Sequence, residues 1–398
     1  MINVAVLGYG NIGGGVVDVI ETNHDLIAAR LGEDIRVKYV LDLREFPGDK
    51  HEDILVHDFS IIENDPEIDI VCETMGGTGA AYTFSKACLL AGKNVCTSNK
   101  ACVAAYGPEL IRIAKEKNVN YLFEASVGGG IPIIRPLNEC LQQEKIESII
   151  GIVNGTTNYM LTKMAKEGAS YEDVLKEAQD KGYAEKDPTA DVEGHDAGRK
   201  IAILTSLMTG KNVVFEDLYC EGISKITAED FKYASKVGRS IKLFARSTDV
   251  NGKVLAMVAP YMIDNNHPLF AVNDVFNAIL VHGNCLDDAM FYGRGAGKLP
   301  TASAVVADVI EMARNLHNNL PIAWSDEKAE LASHEEAVSR FFVRVKQGSD
   351  VSAFGSCETI DAGISGECAV ITGAMSEKEY LEKAAKVSGI IKMIRVEA

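Results

Sequence analysis

The sequence predicts an α/β chain that opens on a doubly wound parallel sheet, continues as an α+β domain and ends in a small α+β tail. Three observations predict it. Short apolar runs alternate with helical patterns over roughly the first 140 residues, as parallel strands joined by crossover helices require. A glycine-rich turn follows the first apolar run directly and opens a helical pattern. Near residue 145 the alternation gives way to longer, mixed segments.

The elements follow in order. "INVAVL" is a short apolar strand, and "VKYVLDLREF" a second strand that ends in mixed charges. "DIVCETMGG" and "KNVCTSNK" read as buried strands with the helix "AYTFSKACLLAG" between them. "PELIRIAKEKNV" and "NYLFEAS" continue the alternation. "IESIIGIVNGTTNYMLTKMAKEG" is strand, turn, helix. "SYEDVLKEAQDKG" is a helix that Ser170 caps, with Asp173 completing a capping box and Gly182 ending it. "DAGRKIAILTSLMTG" is a helix with a broad apolar face, and "KVLAMVAPYMI" and "NAILVHGN" are strands. "TASAVVADVIEMARNL" is a long helix expected to pack back on the first domain. Residues 318–336 are polar and read as a linker, and the tail reads strand, strand, strand, helix, strand. The domain boundaries expected are 1–140, completed by 295–318, then 141–294, then 337–398.

Composition narrows the function. Apolar residues make up 47% and charged residues 24%, which suits a soluble globular enzyme. A formal charge of -17 without a basic run argues against nucleic-acid binding, which needs clustered Lys and Arg. Nine cysteines with no Cys-x-x-Cys pair suit reduced thiols and a cytoplasmic location. No apolar run is long enough to span a membrane.

The glycine turn is Gly8-Tyr9-Gly10-Asn11-Ile12-Gly13. Between strand and helix this G-x-G-x-x-G is the Rossmann-type dinucleotide fingerprint. Its first glycine allows the tight turn, its second the close approach of a pyrophosphate, and its third the packing of helix on strand. Asn11 and Ile12 then open the helix whose N-terminus faces the phosphates. Asp42, at the end of the second strand, is the candidate for an adenosine 2′-hydroxyl and so for NAD. Arg44, two residues on, suits a 2′-phosphate and so NADP. The two signs conflict, with a slight lean to NAD.

Acids gather at 185–196: Glu185, Asp187, Asp191, Glu193 and Asp196, followed by Lys200. Asp196 and Lys200 are four apart and share one helix face. Alone they would be an ordinary surface ion pair. The helix continues into "IAILTSLM", which is core-like, so its start faces a domain junction. Carboxylates there suit an ammonium group, and a lysine suits the proton of a hydroxyl.

Those residues carry a resemblance. "AQDKGYAEKDPTADVEGHDAGRK" at 178–200 resembles the signature of homoserine dehydrogenases, with Ala178, Gly182, Pro188, Asp191, Gly194, Asp196 and Lys200 in the expected relative places. "SNKACVA", "EASVGGGIPII", "NGTTNYML" and "FYGRGAGKLPTASAVVADVIE" are similar landmarks, and together they cover about the first 320 residues. The resemblance implies reversible reduction of L-aspartate 4-semialdehyde to L-homoserine with NAD or NADP, on the way to threonine, methionine and isoleucine. It implies Lys200 as proton donor to the carbonyl oxygen and Asp196 as its orienter. Glu185 and Asp191 would bind substrate polar groups, and Lys100 would lie between cofactor and substrate. Thr74 would stand near the nicotinamide, with Gly295 and Gly297 approaching the cofactor. A monovalent cation, sodium, would be held by Val127, Gly129 and Ile131 with Glu124 nearby. A homodimer or higher homo-oligomer is expected.

The tail resembles an ACT domain but offers only "QGSDVSAFGS" where that module places its first turn and helix. Strong threonine inhibition is therefore not expected, and a role in assembly or stability is. Two other functions compete: a related semialdehyde or amino-acid dehydrogenase, and a non-catalytic nucleotide sensor on the same fold. Intact Lys200, Asp196, Glu185 and Asp191 argue against the sensor. A phosphorylating enzyme would need a catalytic cysteine with a base, and no such pair stands out.

Overall fold

The computed structural model describes residues 1–250 and 252–397. The chain forms two compact units: residues 1–143, 206–214 and 293–329 in one, and 144–205, 215–292 and 330–398 in the other.

The first unit opens with β1 (Ile2–Leu7), α1 (Asn11–Thr22), α2 (His24–Leu31), β2 (Ile35–Leu41), β3 (Leu55–Val56) and α3 (Phe59–Asn64). It continues with β4 (Ile70–Glu73), α4 (Gly79–Leu90), β5 (Asn94–Thr97), α5 (Lys100–Lys117) and β6 (Tyr121–Leu122). The six strands pair in the order β3-β2-β1-β4-β5-β6, all of them parallel. Strand order reverses between β1 and β4, the switch point where such sheets bind ligands at the strand carboxyl ends. Every residue of β1 is buried, as a central strand covered on both faces requires. Helix α5 begins at Lys100, where the Asn99 side chain accepts the Cys102 N–H, and it carries Pro108 within it. It therefore starts earlier than the pattern "PELIRIAKEKNV" indicates.

The second unit has β7 (Ile146–Ile152), α6 (Gly155–Glu167), α7 (Tyr171–Asp180), α8 (Thr189–Val192), α9 (His195–Thr209), β8 (Tyr219–Cys220) and α10 (Ala228–Lys236). The long strands β9 (Arg239–Val250), β10 (Lys253–Asp264), β11 (Phe276–Gly283) and β12 (Asp287–Arg294) follow. Helix α9 runs across the unit boundary, since residues 206–214 fold with the first unit. Ser170 caps α7 as expected, but the Asp173 carboxylate accepts from the Ser170 hydroxyl and so leaves the capping box incomplete.

Helix α11 (Lys298–Arg314) belongs to the first unit. Its Ala302, Val305 and Val309 share a core with Val4, Val6, Val16 and Ile20, so it completes the parallel-sheet unit. Part of the segment read as a linker is built into the same unit. Trp324 is 5% exposed, and a Cβ on Gly107 would lie 3.0 Å from its ring. A single large aromatic docking into a glycine gap outweighs the polar residues around it.

The tail comprises β13 (Val338–Lys346), β14 (Cys357–Ile360), β15 (Glu367–Thr372), β16 (Met375–Ser376), α12 (Glu377–Ala384) and β17 (Ile390–Val396). A single 3-10 turn, Ser352–Phe354, stands where a first helix would be. The tail is not a compact unit of its own. β17 pairs in parallel with β10, which extends one sheet in the order β12-β11-β7-β9-β10-β17-β13-β15-β14. Among the described residues all nine cysteines are free thiols, and no helix is long and apolar enough to cross a membrane.

Candidate active site

The glycine turn has the geometry of a phosphate cradle. Gly8 has φ +93°, which a side chain would resist. A Cβ on Gly13 would lie 1.8 Å from the Gly8 carbonyl oxygen and 2.8 Å from Thr74 Oγ1, so this helix turn reaches the strand only without side chains. A Cβ on Gly10 would meet nothing within 4 Å. Gly10 is the N-cap of α1 and places no side chain over the first N–H groups, which Asn11, Ile12 and Gly13 carry. An uncapped helix start with open space before it fits a pyrophosphate. Thr74 donates its hydroxyl to the carbonyls of Leu7 and Gly8 at 2.9 and 3.0 Å, and so ties β4 to the glycine turn across the switch point.

Asp42 and Arg44 resolve their conflict by pairing with each other. The guanidinium meets the Asp42 carboxylate at 2.9 Å, and the Tyr9 backbone N–H donates to the same carboxylate at 2.8 Å. These donors hold the Asp42 carboxyl well below the usual carboxylate range, Arg44 contributing most. Asp42 therefore stays anionic beside the glycine turn while Arg44 remains on the exposed side.

Glu73 was not apparent in the sequence as a functional residue. It ends β4 fully buried, accepting from Thr97 Oγ1 at 2.5 Å and from the Met75 N–H at 2.7 Å. Burial pushes its carboxyl up from 4.5 to about 7. Between those values the folded protein holds a proton that the unfolded chain releases, so this group costs stability as pH rises through the window. Glu73→Gln is expected to melt above the parent at about pH 8 and to lose most of that advantage at about pH 5. Thermal melts of both proteins at the two pH values check it.

Lys100 is half-buried at the start of α5. The preceding Asn99 donates to the carbonyls of Met75 and Gly77 and so fixes the glycine turn after β4. Gly295 and Gly297 lie close to the other glycine segment. A Cβ on Gly129 would come within 2.5 Å of the Gly295 carbonyl oxygen, and Gly297 is the N-cap of α11 with φ +128°.

Glu124 is buried, and its carboxylate accepts the N–H groups of Ile133, Ile134 and Arg135 at 2.6, 2.8 and 2.7 Å. Its own N–H donates to Asp308, which in turn pairs with Arg135 at 2.8 Å. Burial and the adjacent Glu124 push the Asp308 carboxyl up against the pull of Arg135. Val127, Gly129 and Ile131 are buried in the turn that follows. The donor set is all oxygen, which suits a hard cation. With the carboxylate largely committed to N–H groups, the backbone carbonyls of Val127, Gly129 and Ile131 would carry most of the coordination.

In the second unit Lys200 meets Asp196, and Asp191 is tied to the same group. Lys200 Nζ donates to Asp196 Oδ2 at 2.7 Å and to the Val153 carbonyl at 2.6 Å. Lys200 is 8% exposed and Asp196 3%, so this is no surface ion pair. Asn154, which sequence reasoning missed as a site residue, holds the group together. Its Nδ2 donates to Asp191 Oδ1 at 2.7 Å and to Asp196 Oδ2 at 2.9 Å. Its Oδ1 accepts the Thr157 N–H at 2.9 Å as the cap of α6. An Asn before Gly-Thr-Thr is a helix-cap signal, and that signal could have placed it beside the acids. Glu185 is exposed, and among the described residues its carboxylate makes no hydrogen bond to this cluster. His195 packs edge-on against Phe215 and serves the packing of α9. A Cβ on Gly198 would fall 2.6 Å from the Phe215 ring, so glycine there lets the helix seat closely.

A buried ammonium held by one carboxylate and one carbonyl can bind an oxygen that gains negative charge and pass it a proton. The relatives agree in family. The family model described as "Homoserine dehydrogenase" matches residues 132–310, and the one for the "Homoserine dehydrogenase, NAD binding domain" matches 8–124. The homoserine dehydrogenase of Bacillus subtilis is 40% identical over 375 residues, 92% of this chain and 86% of its own. The solved homoserine dehydrogenase of Thiobacillus denitrificans has a TM-score of 0.90 at 34% identity, covering 100% of this chain and 98% of its own. A hyperthermophilic archaeal homoserine dehydrogenase mutant, solved in complex with NADPH, has a TM-score of 0.66 at 28% identity and covers 78% of this chain and 97% of its own. With a nicotinamide-binding unit, an acid–lysine cluster and relatives that match along most of its length, the chain belongs to the homoserine dehydrogenases, oxidoreductases acting on a small-molecule substrate.

Proposed function

We propose that Lys200 delivers the proton in the reversible reduction of L-aspartate 4-semialdehyde to L-homoserine, a step toward threonine, methionine and isoleucine. The observation that carries this is the buried Nζ held at 2.7 Å from Asp196 and 2.6 Å from the Val153 carbonyl. Asp196 keeps the ammonium aimed, and the Asn154 amide ties Asp196 and Asp191 together. Asp191 and Glu185 of the second unit serve the substrate's polar groups, and Lys100 is the candidate of the first unit for the same role. Bound nicotinamide supplies the hydride. Gly8, Gly10, Asn11, Ile12, Gly13, Asp42, Thr74, Gly295 and Gly297 form its side of the site. Supplying the semialdehyde with reduced cofactor and identifying the product by mass spectrometry tests the reading. L-homoserine supports it, and consumption of cofactor without homoserine refutes it.

Both cofactors are within reach, NAD through Asp42 and NADP through Arg44, and the archaeal relative solved with NADPH supports the second. Asp42→Ser would remove a negative charge beside a 2′-phosphate and release Arg44 from its ion pair. The preference is expected to move toward NADP by about tenfold, or ~1.4 kcal/mol. The ratio of kcat/KM for the two cofactors checks it, and an unmoved ratio removes Asp42 from the adenosine ribose.

Sodium binding at Glu124, Val127, Gly129 and Ile131 fits the oxygen donors there. Assembly as a homodimer is supported by the edge strand β12 and the turn before it, which expose Leu286, Met290 and Tyr292, an apolar patch of the kind a partner covers. Reduced cysteines fit a cytoplasmic setting. The short turn at Ser352–Phe354 supports a tail that stabilises and does not sense threonine.

A further inference from the structure

Asn277 lies in β11 with none of its surface exposed. Among the described residues neither its amide nitrogen nor its amide oxygen has a hydrogen-bond partner. An amide buried this way is costly, and an apolar side chain of similar size would be better tolerated at that point if packing were all that mattered.

It lies beside the end of β7, the segment that leads into the acid–lysine cluster. Antiparallel pairing sets Ala278 opposite Ile152, which brings Asn277 opposite Val153, the residue whose carbonyl accepts from Lys200. Ala278 and Leu280 face the apolar core that holds Ile150 and Ile152. By strand alternation Asn277 points to the other face. Helix α6 lies over that face, with Asn158 donating to the carbonyls of Val272, Asp274 and Phe276. The start of α6 comes up close to the amide at Gly155, which carries no side chain. A Cβ on Gly155 would lie 3.7 Å from Asn277 Oδ1 and 3.0 Å from the Val275 carbonyl oxygen.

We propose that Asn277 is a positioning residue for the reaction: its amide takes an enclosed water and through it fixes the Val153–Asn154 segment that holds Lys200 and Asp196. The amide both donates and accepts, and with the Val275 carbonyl it gives one water the two to four partners that an internal water needs. A small drift of residues 153 and 154 would move the ammonium and Asp196 together. The inference rests on the reading of Lys200 as proton donor.

Asn277→Leu and Asn277→Ala test it, with Lys200→Ala measured alongside. The leucine variant is expected to melt at or above the parent temperature. Its kcat is expected to fall by ~10–100-fold, the cost of a misplaced group, with KM for homoserine little changed and the pH profile of kcat displaced. If leucine prevents folding, the alanine variant decides on the same readouts. Parental kcat and pH profile in a folded Asn277 variant, with Lys200→Ala inactive, would overturn this inference alone. Parental rates in all the variants would overturn the reading of Lys200 as well.

Discussion

Lys200→Ala is expected to bind nicotinamide cofactor like the parent once folded while losing ~10²–10⁴-fold in kcat, the usual loss with a general acid. Taking the cation from buried Asp196 lowers stability as well, by up to ~3–5 kcal/mol, so rates are read on the fraction that is folded. Asp196 would lose its cation but keep the Asn154 amide at 2.9 Å. The glycine turn, Asp42 and Thr74 lie in the parallel-sheet unit. Stopped-flow or steady-state rates beside a cofactor titration separate the two effects. A folded variant with near-parental turnover would take Lys200 out of the mechanism. Weakened cofactor binding would instead mark its role as structural.

The second large effect is in the tail. Arg344 is 5% exposed on β13 and reaches Asp230 of α10 at 2.7 Å and Glu367 of β15 at 2.9 Å. Asp230 is fully buried and also accepts the Thr227 N–H at the start of its helix. Arg344→Ala would leave both carboxylates without their cation inside the fold. Removing one partner of a buried pair costs ~3–5 kcal/mol, far more than the pair contributes against an apolar replacement. Denaturant unfolding is expected to show that loss, with turnover of the folded protein little changed. A loss below ~1 kcal/mol would mean that solvent screens the group as it does at a surface. Arg395 makes the same kind of link, joining β17 to Glu377 and Glu221 at 2.6 Å each. A chain cut near residue 336 would strand Asp230 and Glu221, and also Arg246, which pairs with Glu397 at 2.6 Å. Cutting the tail therefore threatens the fold itself, and a threonine titration is better run on the whole chain.

What the sequence made legible was local. The glycine turn, the strand and helix order and the 178–200 signature are each written in consecutive residues, and each predicts its element from period, cap or turn chemistry. Lys200 and Asp196 were legible for the same reason, being one helix turn apart. What the sequence hid was long-range. Asn154 sits 42 residues from Asp196 yet bonds to it, and only the fold brings α6 to the start of α9. Glu73 looked like the end of an ordinary buried strand, and its raised pKa comes from depth, which no motif encodes. Polar composition suggested a linker at 318–336, but Trp324 found its slot against Gly107, a pairing across more than two hundred residues. Glu185 shows the opposite limit. The signature names it, and the structure leaves it exposed on its loop.

Homoserine oxidation by the purified whole chain, followed as reduced nicotinamide and run in parallel with NAD and NADP, tests the central claim most directly. Turnover is expected with at least one cofactor, dependent on L-homoserine and lowered ~10²–10⁴-fold in Lys200→Ala. No reduced nicotinamide with either cofactor, from a folded protein that binds them, would contradict it.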